Sequence, residues 1–241
     1  MIHPLPFLFT TASLLSGFYA IISAINGNFL NAGVAIIVAG VFDGFDGRVA
    51  RLTKTTSTFG MEYDSLSDLV SFGVAPALLA YLWALEPYGR YGWLAAFLYV
   101  ATTALRLARF NSLALEKSPQ EFVGLPCPAA AGMIATTVLF SRYLGAPETV
   151  KHLSILILVY LLSYLMVSNV RYMSFKHPSA KRKKTFQVTV AMVLMMILVA
   201  ADLQVTLFVV GSIYVLSGPF STAYRVLRKA DKGAEEQEDI I

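Results

Sequence analysis

Of the fifteen acidic residues in this chain, five fall between positions 43 and 68: Asp43, Asp46, Glu62, Asp64 and Asp68. Spacing sorts four of them into two pairs. Asp43 and Asp46 stand at i, i+3 and Asp64 and Asp68 at i, i+4, so on helices each pair presents its carboxylates from one face. Residues Leu52 to Phe59 between the pairs are enough for a turn, which makes the two helices antiparallel neighbours whose acidic faces meet at one end. The run leading in, Phe29 to Gly40, is suited to lipid. One Asp at the centre of a membrane helix costs about 3 kcal/mol on insertion scales, less near the interface, so the four must be neutralised. Converging hard oxygen ligands with no His or Cys nearby suit Mg²⁺ or Mn²⁺, as one or two ions. Arg48 and Arg51 offer the competing arrangement, an Arg and Asp network that only locks two helices together. Glu62 has no partner at matching spacing and is expected near a helix start, where the dipole favours it.

Small residues add a second clue. Gly40, Gly44, Gly47 and Ala50 recur at three- and four-residue intervals along the first acidic helix, and Gly60 lies one turn before Asp64. Packing of small residues against a neighbouring helix accounts for Gly40 and Gly44. Gly47 and Gly60 sit beside carboxylates, where a missing side chain lets a phosphate, ribose or base approach the backbone. Arg51, Thr55, Thr56, Ser57 and Thr58 supply a cation and hydroxyl donors at the same mouth. Phosphate is the natural complement of divalent metal and arginine together.

The elements that must position these residues are membrane helices. With 56% hydrophobic and 14% charged residues and a mean hydropathy of +0.63, the chain lies outside the range of a soluble domain. Gly, Pro and charge clusters divide it into eight expected helices, at about 5–25, 29–52, 61–86, 91–114, 126–146, 152–172, 186–201 and 203–222. The last two are expected as a tight hairpin, since the run from Val188 to Leu216 is broken only by Asp202 and Gln204. The expected fold is therefore an all-α, polytopic integral membrane bundle. Residues 1–222 would form one transmembrane domain, followed by a charged, solvated tail over 223–241.

Cytoplasmic loops are enriched in Lys and Arg, and with the N-terminus inside only Arg90, Arg142 and Lys151 of the nineteen fall on the opposite side. Both termini and the acidic segment are thus expected at the cytoplasmic face of the cell membrane. The run Lys176 to Lys184 fits headgroup anchoring better than nucleic-acid binding, because no recognition module accompanies it. A single cysteine, Cys127, excludes an intramolecular disulfide framework and a CxxC motif; it is expected as a small packing residue at a helix start. His3, His152 and His177 share no spacing that suggests a site.

Written out, Asp43-x-x-Asp46-Gly47-x-x-Ala50-Arg51, eight residues, Gly60-x-x-x-Asp64-x-x-x-Asp68 resembles the signature of the CDP-alcohol phosphatidyltransferases with no element missing. Ser67 to Ala77 (SDLVSFGVAPA), Ala108 to Asn111 (ARFN) and Phe122 to Gly132 (FVGLPCPAAAG) resemble the branch of membrane-embedded phosphatidylserine synthases. The likeness covers about residues 5–172. It departs near Ser13, where relatives often carry Asn, so that helix receives no substrate contact.

The resemblance implies that Asp43, Asp46 and Asp64 bind divalent metal, and that Asp68 both lies by the second metal and acts as general base. It implies CDP-lipid contacts at Gly47, Arg51 and Ser57, to which the space beside Gly60 is added. The implied reaction transfers a phosphatidyl group from CDP-diacylglycerol, or its archaeol counterpart, to the hydroxyl of L-serine with release of CMP. A homodimer is expected from the family. The serine carboxylate would be repelled by the aspartates unless a cation receives it, and Arg109 and Arg106 are candidates for that carboxylate or for the lipid phosphate. Membrane anchoring is the competing role, favoured for Arg106 taken alone. Glycerol 3-phosphate, inositol phosphate or choline remain alternative acceptors, because they would use the same metal ligands. An ion transporter is the alternative from another class, weakened by acids confined to one end of the bundle.

Overall fold

The computed structural model describes residues 4–53, 58–115, 124–145, 153–170 and 202–238, which are helical apart from short connections, with no strand among them. The helices are α1 (Pro4–Ile25), α2 (Phe29–Thr53), α3 (Thr58–Asp68), α4 (Ala75–Ala80), α5 (Arg90–Leu115), α6 (Cys127–Tyr143), α7 (Leu153–Val167) and α8 (Leu203–Glu238). Among the described residues, four stretches are long and apolar enough to cross a membrane: Phe7–Ile25, Phe29–Val49, Thr58–Tyr88 and Leu203–Thr222. The first six expected helices appear with ends shifted by a few residues. The expected helix at 186–201, and with it the hairpin, lies outside the described residues. The last helix does not stop at 222 but continues through the basic and acidic tail to Glu238.

The connection from α1 to α2 shows why α1 stops where it does. Gly27 adopts φ +75°, its N–H bonds the carbonyl of Ala24 at 3.0 Å, and the N–H of Asn28 reaches the carbonyl of Ser23 at 2.8 Å. This is a glycine-terminated helix end that satisfies carbonyls otherwise left open. It turns the chain back at once, so α1 and α2 run side by side.

The central column of the bundle is the continuous rod Thr58–Tyr88, which is more buried than the other three long spans. It is not uniform. Leu69–Val74 and Tyr81–Leu85 are wound as wider π-helical turns around α4, and Glu86–Tyr88 closes the rod as a 3₁₀ turn. Each wide stretch precedes a proline, Pro76 or Pro87. Proline has no N–H for the carbonyl four residues back and its ring crowds that carbonyl, so the turn before it opens.

Serine hydroxyls stitch α1 to its neighbours. Ser67 donates to the carbonyl of Thr10, Ser71 to that of Ser13, and Ser13 to that of Ala39, each at 3.1 Å. Gly17 allows this approach, since a Cβ there would come within 2.6 Å of the Ser71 Cα. Close contact of small and hydroxyl-bearing residues is how helices pack where lipid removes the usual hydrophobic drive. Ser13 is thus a packing residue on both its side chain and its carbonyl. Alanines of α2 (Ala32, Ala35, Ala39) and α6 (Ala130, Ala131, Ala135) are buried in the same way, while Leu15, Phe18 and Tyr19 of α1 are exposed as befits a lipid-facing surface.

Candidate active site

The end of α2 and the start of the central rod bring the acidic pairs together. Asp43, Asp64 and Asp68 each present a carboxylate oxygen, and the three lie within 4.8 Å of one another. Asp46 sits alongside, only 5% exposed. Its carboxylate is in hydrogen-bonding contact with the Thr10 hydroxyl, the Gly47 backbone N–H and the Asp64 carboxylate. The helical spacing of the sequence produces this convergence: i, i+3 on α2 and i, i+4 on α3 point both pairs into one gap, with α1 behind Asp46.

The arrangement fits a divalent cation on its own chemistry. Asp46 Oδ2 and Asp64 Oδ1 are buried and have no protein donor. Two carboxylates in contact repel each other unless a proton or a cation lies between them, and a buried oxygen without a partner is costly. Oxygen ligands alone, without nitrogen or sulfur, match Mg²⁺ or Mn²⁺. Arg48 is exposed, whereas Arg106 of α5 is half-buried and its charge acts on Asp68.

Arg106 is turned inward. Its Nη1 donates to Cys127 Sγ at 3.4 Å, and its Nε is buried with no protein partner. Arg109, one turn on, is exposed and donates from Nη2 to Asn169 Oδ1 at 3.5 Å. The preference for Arg106 as a plain anchor therefore meets an inward-facing side chain at the acidic site. Helical periodicity alone did not reveal which of the two arginines faces in.

Gly47 lies on α2 beside Asp46, and Gly60 on the first turn of α3, one turn before Asp64, and both are half-buried. Arg51 is on the last turn of α2; its side chain, and all of Ser57, fall outside the described residues. So do His3, His152, His177 and the basic run from Lys176. Of the two glycines expected to pack, Gly40 has the Phe72 ring 3.8 Å from where a Cβ would sit, but Gly44 is exposed with nothing within 4 Å of that point. Its helix face turns outward between Asp43 and Gly47, not onto a neighbour. Glu62 is also placed differently. Because α3 begins at Thr58, Glu62 is past the first turn, and its Oε2 accepts from Asn111 Nδ2 at 3.4 Å while Ser65 donates to Asn111 Oδ1 at 3.1 Å.

Two participants had a faint signal in the sequence. Thr10 is a hydroxyl in a span otherwise suited to lipid, yet nothing in its spacing points to Asp46. Asn111 stands in the ARFN stretch, but only the packing of α5 on α3 pairs it with Ser65 and Glu62.

The profile of the CDP-alcohol phosphatidyltransferase family matches residues 3–153, more than half of the chain. The chain belongs to this family. Among its relatives is the CDP-diacylglycerol–serine O-phosphatidyltransferase of Helicobacter pylori (strain ATCC 700392 / 26695), 43% identical over 178 residues that cover 73% of this chain and 75% of the relative. The enzyme of the same name from Bacillus subtilis (strain 168) is 37% identical over 178 residues, covering 73% of this chain and 94% of the relative. An archaetidylserine synthase from Methanothermobacter thermautotrophicus is 36% identical over 170 residues, covering 70% and 69%. In this CDP-alcohol phosphatidyltransferase the acidic cluster, Arg106, Arg109 and Cys127 all fall inside the matched segment, whereas α8 lies beyond it.

Proposed function

We propose that this protein is a phosphatidylserine synthase, transferring the phosphatidyl group of CDP-diacylglycerol, or the equivalent group of CDP-archaeol, to L-serine with release of CMP. The observation that carries the reading is the meeting of the Asp43, Asp64 and Asp68 carboxylates within 4.8 Å beside an inward-facing Arg106. The names of the relatives support serine as the acceptor.

Asp43, Asp46, Asp64 and Asp68 would hold one or two Mg²⁺ or Mn²⁺ ions, which supply charge stabilisation for the pyrophosphate and the departing CMP. Gly47 and Gly60 leave the backbone open to the nucleotide, and Arg51 and Ser57 serve its phosphates. Asp68 takes the proton from the serine hydroxyl as that oxygen attacks the phosphorus bearing the diacylglycerol, and the bond to the CMP oxygen breaks. Arg106 and Arg109 are the cations available to the serine carboxylate or the lipid phosphate, with Arg106 nearer the base. Eight transmembrane helices with both termini and the site at the cytoplasmic face of the cell membrane, a charged tail over 223–241 and a homodimeric assembly complete the proposal.

Enzyme purified into liposomes with CDP-diacylglycerol and Mg²⁺ or Mn²⁺ tests it through CMP release. L-Serine is expected to drive release well above the rate without acceptor. Release driven by glycerol 3-phosphate or inositol phosphate, with serine inert, would assign the protein to a different acceptor.

A further inference from the structure

The GLPCP turn ahead of α6 is built with a constraint that helix initiation alone does not demand. Gly124 adopts φ +84°, the left-handed region, and a Cβ there would come to 2.5 Å from the Met166 carbonyl oxygen. Its N–H bonds the carbonyl of Val170 at 2.8 Å, and the N–H of Leu125 bonds that of Leu165 at 3.0 Å. The turn is thereby fixed to the end of α7. Pro126 then caps α6, and Cys127, its first residue, is fully buried. The Cys127 sulfur accepts from Arg106 Nη1 at 3.4 Å, and Arg106 is the cation whose charge acts on Asp68.

The choice of partner has an electrostatic consequence. A carboxylate at position 127 would orient Arg106 but also neutralise it. A thiol accepts an N–H while leaving the full positive charge available to an anion. Arg106 Nε, buried with no protein partner, is a further donor at the same group. An aliphatic residue at 127 would leave a buried guanidinium N–H unmet and the side chain free to rotate.

We propose that Cys127 is a positioning residue, whose sulfur holds Arg106 beside Asp68 in the orientation that receives the carboxylate of an amino-acid acceptor. This rests on the serine reading given above. The turn that fixes Gly124 and Leu125 to α7 is then part of the acceptor site at one remove.

The test sets hydrogen-bond acceptance against packing volume. Cys127→Val keeps the site filled, with a somewhat larger side chain, and loses the acceptor, whereas Cys127→Ser keeps an acceptor and loses a little volume. In the full-length enzyme in liposomes, Cys127→Val is expected to raise the serine KM by about tenfold, the worth of one hydrogen bond to a charged group, with kcat and the CDP-lipid KM within about twofold. Cys127→Ser is expected to keep the serine KM within about threefold of wild type. The reverse order, Val near wild type and Ser impaired, would make Cys127 a packing residue and overturn the proposal, as would serine and CDP-lipid KM rising together. Should the Val variant not fold, Cys127→Ala takes its place with the same expectation. Wild-type enzyme separates the two claims: no serine-dependent CMP release there contradicts the proposed function, whereas normal release with an unaltered serine KM in Cys127→Val contradicts only the role of Cys127.

Discussion

Asp46 and Asp64, on different helices, hold their carboxylates in contact, and each keeps one buried oxygen that no protein donor reaches. Such a pair is repulsive by itself, so holding the end of α2 near the start of the rod depends on what lies between the two carboxylates. Added Mg²⁺ or Mn²⁺ is expected to raise the melting temperature, since a ligand at a hundred times its Kd stabilises by about 2.7 kcal/mol. Asp64→Asn should shrink that ion-dependent increment. A melting curve with and without metal for both proteins checks this, and an equal increment in the variant would remove Asp64 from the ligand set.

Asp68 and Asp43 share the cluster but are assigned different work. Asp68→Asn is expected to lower turnover by roughly 10²- to 10⁴-fold, the usual contribution of a general base, while CDP-lipid binding stays near wild type. Asp43→Asn is expected to weaken metal binding as well, seen as a higher Mn²⁺ concentration for half-maximal CMP release. Wild-type turnover in Asp68→Asn would contradict its role as base.

Two helix glycines should respond in opposite ways to the same substitution. Gly17→Ala places a methyl against the Ser71 backbone and is expected to destabilise by about 1–3 kcal/mol through overpacking. Gly44→Ala meets open space, and its helix position is expected to leave stability unchanged or improved by up to about 1 kcal/mol. Thermal denaturation in one detergent compares them; equal losses would mean that Gly44 packs after all.

The hydroxyl ladder on α1 gives a smaller effect. Ser71→Ala removes the bond to the Ser13 carbonyl and is expected to cost about 0.6 kcal/mol, the average for such contacts between membrane helices. The same denaturation assay resolves it only alongside Ser67→Ala in a double variant, whose loss should be close to the sum. A double variant as stable as wild type would show that these hydroxyls do not bind α1 to the rod.

What the sequence made legible here was whatever depends on local spacing. The acidic pairs at i, i+3 and i, i+4 and most helix limits follow from periodicity, and the signature from Asp43 to Asp68 is written in one short segment. Contacts between distant segments were not legible. Thr10 reaching Asp46, Asn111 reaching Glu62, and Arg106 pointing in while Arg109 points out depend on how α1 and α5 rotate against the rod. The widened turns before Pro76 and Pro87 contribute to that rotation, because each shifts the face that follows it. Gly44 was misplaced for the same reason: its spacing from Gly40 is that of a packing stripe, yet a Cβ there would meet open space, whereas one at Gly40 would meet the Phe72 ring.

The central claim is the acceptor, and the identity of the lipid product tests it most directly. Wild-type enzyme in liposomes, given CDP-diacylglycerol, Mn²⁺ and equal concentrations of L-serine, glycerol 3-phosphate, inositol phosphate and choline, is predicted to yield phosphatidylserine as the dominant new lipid by mass spectrometry, with CMP released in equal amount. A dominant product carrying any of the other three headgroups would contradict the account.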